Sequence, residues 1–335
     1  MKPIELNGPE GSNPLGFLCA LGVLRALSNA WPEAEVKMSW QQTGAAWRPL
    51  LCADQPDLNG KDEEEAKEAI VNALYVELKK MNGHPALVEQ FKSKDEQEAW
   101  KQWKDTTKIP ATEFCEYADR IQKSASSIDR QWVDFVAAIG CEAIRQKGKD
   151  KSTYISDTDL RTINGAGRQS FFPTLRDLAS SVGESHLQEA IFGKWQYKDE
   201  GLGFRWDPMD IRQHAYQWGD PSSESVKSVW GANLLAVEGM LLFPTMPSGM
   251  RLQTTGFSQT QPRTRNEKVF FTWPIWQEAF VSQDVVRSVL AFEELQKDKP
   301  DRLKLAKYGV AEIFRSERIV FDKYQRRNFT PAQPV

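Results

Sequence analysis

The chain has 335 residues, with 43 Lys plus Arg against 46 Asp plus Glu, 40% hydrophobic residues and three His, a profile of a globular protein long enough to bury a core without metal or disulfide staples. Disorder, collagen-like repeats and a disulfide scaffold are excluded, leaving one large domain or two of moderate size. Charge is uneven: residues 1–150 carry 19 bases and 24 acids, residues 151–335 carry 24 and 22, and from Arg302 onward eight bases face three acids, a local field that attracts phosphate even on a slightly acidic chain.

Pro3 to Leu6 reads as a short strand, followed by turn formers from Asn7 to Asn13. Asn13 suits a helix N-cap with Pro14 in the first helical position, and Phe17, Leu21 and Leu24 recur at helical spacing beside Leu15, Leu18 and Leu27. Arg25 interrupts this apolar run and only Lys2 precedes it among bases, so it reads as a folded helix and not a secretory signal. No stretch reaches 18 uninterrupted apolar residues; a cytoplasmic protein with no membrane partner is expected. Ala34 to Gln41 alternates Val36, Met38 and Trp40 with polar residues as a strand does, and Ala46 to Cys52 is a second strand that Pro49 would confine to an edge.

From residue 59 the pattern becomes charged and helical. Ile70, Ala73, Leu74, Leu78 and Met81 suit one amphipathic helix, and Trp132, Phe135, Val136, Ile139 and Ala143 another. We therefore read residues 1–58 as an N-terminal α/β segment, 59–150 as a helical insertion and 151–335 as a C-terminal α/β lobe with a basic tail. The expected fold is mixed α/β, a framework with a long helical insertion and two lobes. Beyond residue 150 the pattern predicts a strand at 152–155, a turn at 164–167, and helices over 169–180, 185–192, 207–217 and 226–239. Strands at 252–255 and 269–272 and a helix at 282–296 follow. Val310 to Phe314 and Glu317 to Phe321 read as paired strands or as a helix and a strand.

The four cysteines, Cys19, Cys52, Cys115 and Cys141, stand 33, 63 and 26 residues apart, which fits neither a zinc knuckle nor a dithiol redox motif. The segment Ile163 to Ser170 offers two glycines and Arg168 ahead of a helix, a geometry that can hold phosphate. It lacks the Lys-Ser/Thr ending of a P-loop and the third glycine of a dinucleotide fingerprint, so no cofactor is expected, and it also reads as a plain strand-to-helix turn.

Between Phe204 and His214, Asp207 suits a helix cap with Pro208 after it, placing Asp210 and His214 on one face. A metal-dependent nuclease would use Asp207, Asp210 and His214 as ligands; a cap followed by exposed polar residues is the simpler structure for the same letters. Twelve tryptophans are present, and Trp206, Trp218, Trp230, Trp273 and Trp276 interleave with Arg205, Arg212, Arg251, Arg263 and Arg265. Rings beside guanidinium groups suit exposed bases and single strands, although Trp273 and Trp276 read better as core. Arg251 and the loop from Gln259 to Lys268, with Arg263, Arg265 and Lys268 against Glu267, are the stronger phosphate candidates.

A further pattern joins these pieces: Asn13 to Arg25, the turn Arg205-Trp206-Asp207-Pro208, Gly231 to Gly239, Thr254-Thr255-Gly256-Phe257, Thr272 to Trp276 and Val286 to Leu290. Together they resemble the large-subunit-like proteins of type I-U (also called I-G) CRISPR effector systems. The resemblance implies a non-enzymatic, nucleic-acid-binding subunit of an RNA-guided antiviral surveillance complex, with guide RNA, target DNA and other effector subunits as partners. Cleavage would be left to a separate helicase-nuclease. In that setting Arg168, Arg205, Arg212, Arg251, Arg263, Arg265 and Lys268 are expected on nucleic acid, Trp206 and Trp218 on bases, and Gln259, Gln261, Arg263 and Arg265 at base edges of a flanking motif. A metal-dependent nuclease and a purely structural assembly subunit are the competing classes.

Overall fold

A computed structural model describes residues 2–83, 91–92, 100–101, 109–124, 130–147, 153–163, 170–209, 227–260, 267–320 and 327–335. β1 (Ile4–Glu5) leads to the helix α1 (Pro14–Ala30), capped by Asn13, whose Oδ1 accepts from Leu15 N at 2.8 Å and Gly16 N at 3.3 Å. The helix is buried from Pro14 through Leu27, so it needs neighbours on every side. β2 (Lys37–Thr43) and β3 (Ala46–Cys52) complete an antiparallel sheet in the order β1-β3-β2. The strand carrying Pro49 is thus the central one and not an edge. β1 pairs only with Leu50 and Leu51, and the Pro49 carbonyl still accepts from Leu6 N at 2.9 Å, so the missing N–H is tolerated.

Asp62 opens α2 (Glu63–Lys79) through a capping box with Glu65. Its Ile70, Leu74 and Leu78 join the same core as α1. β4 (Phe91–Lys92) pairs with β5 (Trp100–Lys101), and α3 (Ala111–Ser124) and α4 (Arg130–Ile139) follow. The helix expected to continue to Ala143 stops at Ile139, because Gly140 begins β6 (Gly140–Lys147), paired with β7 (Thr153–Asp157). A side chain at Gly140 would come within 2.8 Å of the Ser156 carbonyl; the glycine lets the chain leave the helix directly against β7.

Next come α5 (Phe171–Ser181), α6 (Glu184–Phe192), the short ladder of β8 (Asp199–Glu200) and β9 (Lys227–Ser228), and α7 (Trp230–Met240). Backbone touches backbone where α7 crosses α1. A Cβ on Gly22 would meet Leu235 O at 1.8 Å, and one on Gly239 would meet Leu18 O at 2.0 Å. Beside this crossing Arg25 pairs with Glu238 of α7 and, at 3.2 Å, with Asp134 of α4. Asp134 also takes Arg287 at 2.6 Å.

β10 (Thr245–Ser248) and β11 (Arg251–Thr254) form a hairpin. The largest sheet is ordered β12 (Phe257–Thr260), β13 (Lys268–Trp276), β14 (Val310–Val320), β15 (Arg327–Phe329), with β16 (Gln333–Pro334) also on β14. α8 (Gln283–Leu290), a 3-10 turn at Glu293–Gln296 and α9 (Arg302–Ala306) connect β13 to β14. The two elements expected around 310–321 are one strand, since β14 pairs with β13 along most of its length. Trp273 Nε1 donates to Gly11 O and Trp276 Nε1 to Met38 O, each at 2.8 Å. Phe17 stacks against Trp40 and Trp273 at 5.9 and 5.7 Å. A single main core therefore draws on residues from Ile4 to Phe329. The fold is mixed α/β, and among the described residues no helix is long and apolar enough to cross a membrane.

Candidate nucleic-acid interface

The structure separates the residues that the sequence groups together. Trp206 is fully buried, donates from Nε1 to Leu160 O at 2.7 Å and stacks on Phe204 at 4.8 Å. Arg205 is buried beside it, in the left-handed backbone region at φ +57°. Neither can meet a base at the surface, which corrects the expectation for both: the indole is drawn inward by its apolar area and satisfies its N–H on a core carbonyl. Trp273 and Trp276 are core, as read, and Trp230 stacks on His186 at 5.4 Å.

Asp207 is also interior. Its Oδ1 accepts from Met209 N at 2.9 Å, the bond expected of a cap, and from Asn13 Nδ2 at 3.1 Å, while Tyr197 donates to Oδ2 at 2.7 Å. Burial pushes this carboxyl above the ordinary range, against the pull of those three bonds. Both oxygens are committed to holding the chain, which weakens their use as metal ligands. Arg168, Arg212, Trp218, Arg263 and Arg265, with Asp210, His214 and Gln261, lie outside the described residues. Among the described residues no group of three or more His, Cys, Asp or Glu is placed to hold a metal ion.

Arg251 and Gln259 do come together. They face each other from β11 and β12, the Arg251 Nη1 donating to Gln259 Oε1 at 2.8 Å, with Glu267 3.7 Å from the same nitrogen. The turn that allows this is Thr255-Gly256: Gly256 has φ +80°, and a Cβ there would press on the Phe243 and Phe271 rings at 3.1 and 3.2 Å. Just before it, Thr254 Oγ1 accepts from Asp159 N at 2.8 Å and so fixes the loop after β7 against β11. The result is a cavity of about 250 Å³ whose polar lining is Asp159, Ser248, Arg251, Gln253, Ser258, Gln259 and Gln296, with Leu252 and Phe257 as apolar wall.

Behind the cavity lies a cluster of guanidinium groups. Arg318 Nη1 stands 2.7 Å from Asp159 O and 2.9 Å from Asp159 Oδ1, Arg161 pairs with Asp157, and Arg327 reaches Arg161 O at 3.5 Å. Burial, then the charges of Arg318 and Arg161, pulls the Arg327 guanidinium down to about 10. Lys268 is 55% exposed at the start of β13 and pairs with Glu317 at 3.0 Å.

Amides, hydroxyls and a guanidinium around a small space are the groups that hydrogen-bond to base edges. Asp159, Gln253 and Gln296 were not marked in the sequence. They stand far apart along it, and no periodicity or motif joins a loop after β7, a hairpin strand and a 3-10 turn. Compared with protein-family models, curated proteins and solved structures, the chain matches none.

Proposed function

We propose that this chain is a non-enzymatic nucleic-acid-binding subunit of an RNA-guided antiviral complex, sharing guide RNA and target DNA with other effector subunits. One observation carries the proposal: Arg251 and Gln259, which the sequence marks for phosphate and base contact, are bonded to each other on the wall of one cavity whose remaining polar side chains are of base-contacting type. The resemblance to type I-U/I-G large-subunit-like proteins supplies the biological setting. Lys268, exposed on the strand next to β12, adds a cation within the same sheet.

The test is fluorescence anisotropy with single-stranded and duplex oligonucleotides across a salt series. Affinity should fall linearly with the logarithm of salt, and the double variant R251A/K268A should flatten that slope by about 1 for each cation removed. An absence of affinity for every strand at low salt would overturn the proposal. So would magnesium-dependent cleavage that chelator and D210A abolish, which belongs to the nuclease reading.

A further inference from the structure

We infer that Arg327, on the outer strand β15 of the large sheet, seats one phosphate group of the bound strand, with Arg161 and Arg318 fixed behind it. This rests on the nucleic-acid reading above and adds where the polymer's backbone lies.

Arg327 is a guanidinium with most of its bonding capacity unused. Its Nη1 donates to Arg161 O at 3.5 Å, a marginal contact. Among the described residues the side chain makes no other hydrogen bond and touches no carboxylate. Nε and Nη2 are the donors left over, and neither is among the buried atoms shut away from solvent without a partner, so both are open to a ligand. They form one edge of the planar group, the fork that takes two oxygens of a phosphate side-on.

The neighbours make that edge attractive to an anion. Three guanidiniums, Arg161, Arg318 and Arg327, stand near two carboxylates, and both carboxylates are already engaged. Asp157 Oδ1 accepts from Arg161 Nη2 at 3.2 Å, and Asp159 Oδ1 lies 2.9 Å from Arg318 Nη1. Burial pushes the Asp157 carboxyl up, against the pull of Arg161 and Arg327, which weakens its hold on negative charge. After burial, the charges of Arg318 and Arg161 are what pull Arg327 down; an anion on the free edge offsets that repulsion.

The sheet lines this site up with the pair described above. Arg327 is opposite Val320, two residues beyond Arg318 on β14, and Arg318 is opposite Val269, itself opposite Gln259. Opposed and alternate residues share a face. Gln259 with its bonded Arg251, then Arg318, then Arg327 therefore follow one another on one side of the sheet, and a strand crossing that side meets cations in succession.

The full-length wild type and R327M are melted in sodium phosphate and in sodium chloride of equal ionic strength. Phosphate strengthens apolar burial in both proteins alike, so the difference between them is the readout. The wild type should gain about 2 °C more than R327M on exchange into phosphate. In chloride R327M should melt no lower than the wild type, since it loses one marginal bond and relieves two like charges. Fluorescence anisotropy with an oligothymidylate should then give R327M a salt slope smaller by about 1. R327K keeps the charge without the fork: its slope should match the wild type, its affinity should fall about tenfold, and its phosphate gain should be lost. It carries the test alone if R327M does not fold.

R327M melting well below the wild type in chloride makes Arg327 a structural cation and overturns the inference, as does an unchanged salt slope. A phosphate gain lost in both variants with strand binding unaltered keeps the anion site but overturns the strand as its source. Failure of every strand to bind at low salt overturns the nucleic-acid reading itself, and the melts in phosphate still decide on the anion.

Discussion

The Asp134 hub and the Gln296 cavity treat buried polar groups in opposite ways. At the hub, Arg25 and Arg287 close on Asp134 at 3.2 and 2.6 Å, Arg130 approaches to 3.9 Å, and Arg25 also holds Glu238. Burial pushes the Glu238 carboxyl up while Arg25 pulls it back. Charges taken from water are affordable in free energy only when paired, so the hub ties α1, α4, α7 and α8 into one body. Beside the cavity, the Gln296 amide is sealed in without partners, and at the hub one buried atom, Arg25 Nε, is left without one too. The difference separates charges held together by ion pairs from a neutral amide that packing alone encloses.

The sharpest way to break this contrast is D134A. It leaves Arg287 without its carboxylate and Arg25 with Glu238 alone, and should cost about 3 kcal/mol in urea denaturation; a loss below about 1 kcal/mol would make the hub an ordinary surface network. G239A comes next. Its Cβ would meet Leu18 O at 2.0 Å, forcing α1 and α7 apart at about 1–3 kcal/mol, measured in the same way.

An acid titration then tests the turn beneath the cavity. The bonds from Lys297, Lys304 and Asp301 N hold the Glu294 carboxyl down at about 2, against an ordinary 4.5. Its folded pKa is depressed, so its contribution is full above 4.5 and is lost as pH falls from there toward 2. Denaturation at neutral and acid pH should show E294Q losing less stability across that window than the wild type. Equal losses would mean that the turn is not held by this carboxylate.

Q296L should be nearly silent in stability, within about 1 kcal/mol and on the favourable side, since it removes two unsatisfied buried atoms and replaces them with apolar ones. A large loss would show the amide to be structural and erase the contrast. R251A should shift stability least, within about 0.5 kcal/mol, while making nucleic-acid binding less sensitive to salt.

Local chemistry was legible wherever one element decided it. Asn13 before Pro14 caps α1 as expected, and Met38 and Trp40 lie in a real strand, which begins at Lys37, after Val36. Other readings failed where a distant partner decided. Ala143 fits the helical spacing of Phe135 and Ile139, yet Gly140 turns the chain into β6 because β7 is there to pair with it. Trp206 next to Arg205 resembles a stacking platform on paper, but its N–H reaches Leu160 O in the core.

The segments behind the resemblance show the same division. Gly22 and Arg25 in the first helical segment, and Glu238 and Gly239 in the later one, are the crossing of α1 with α7 and its ion pair. Thr254 and Gly256 shape the rim of the cavity by fixing Asp159 and turning β11 into β12. These letters look like a functional signature, and in the fold most of them are packing and turn chemistry.

By itself the sequence determined the mixed α/β class, the caps and the apolar helix at the centre, because periodicity, capping and hydrophobic burial act over a few neighbouring residues. Tertiary structure alone decided that Arg205 and Trp206 go inside, that Arg251 meets Gln259, and that Asp159, Gln253 and Gln296 share one cavity. Those outcomes depend on which strand edge and which turn arrive from far along the chain, and hydrogen-bond satisfaction between distant groups leaves no local pattern to read.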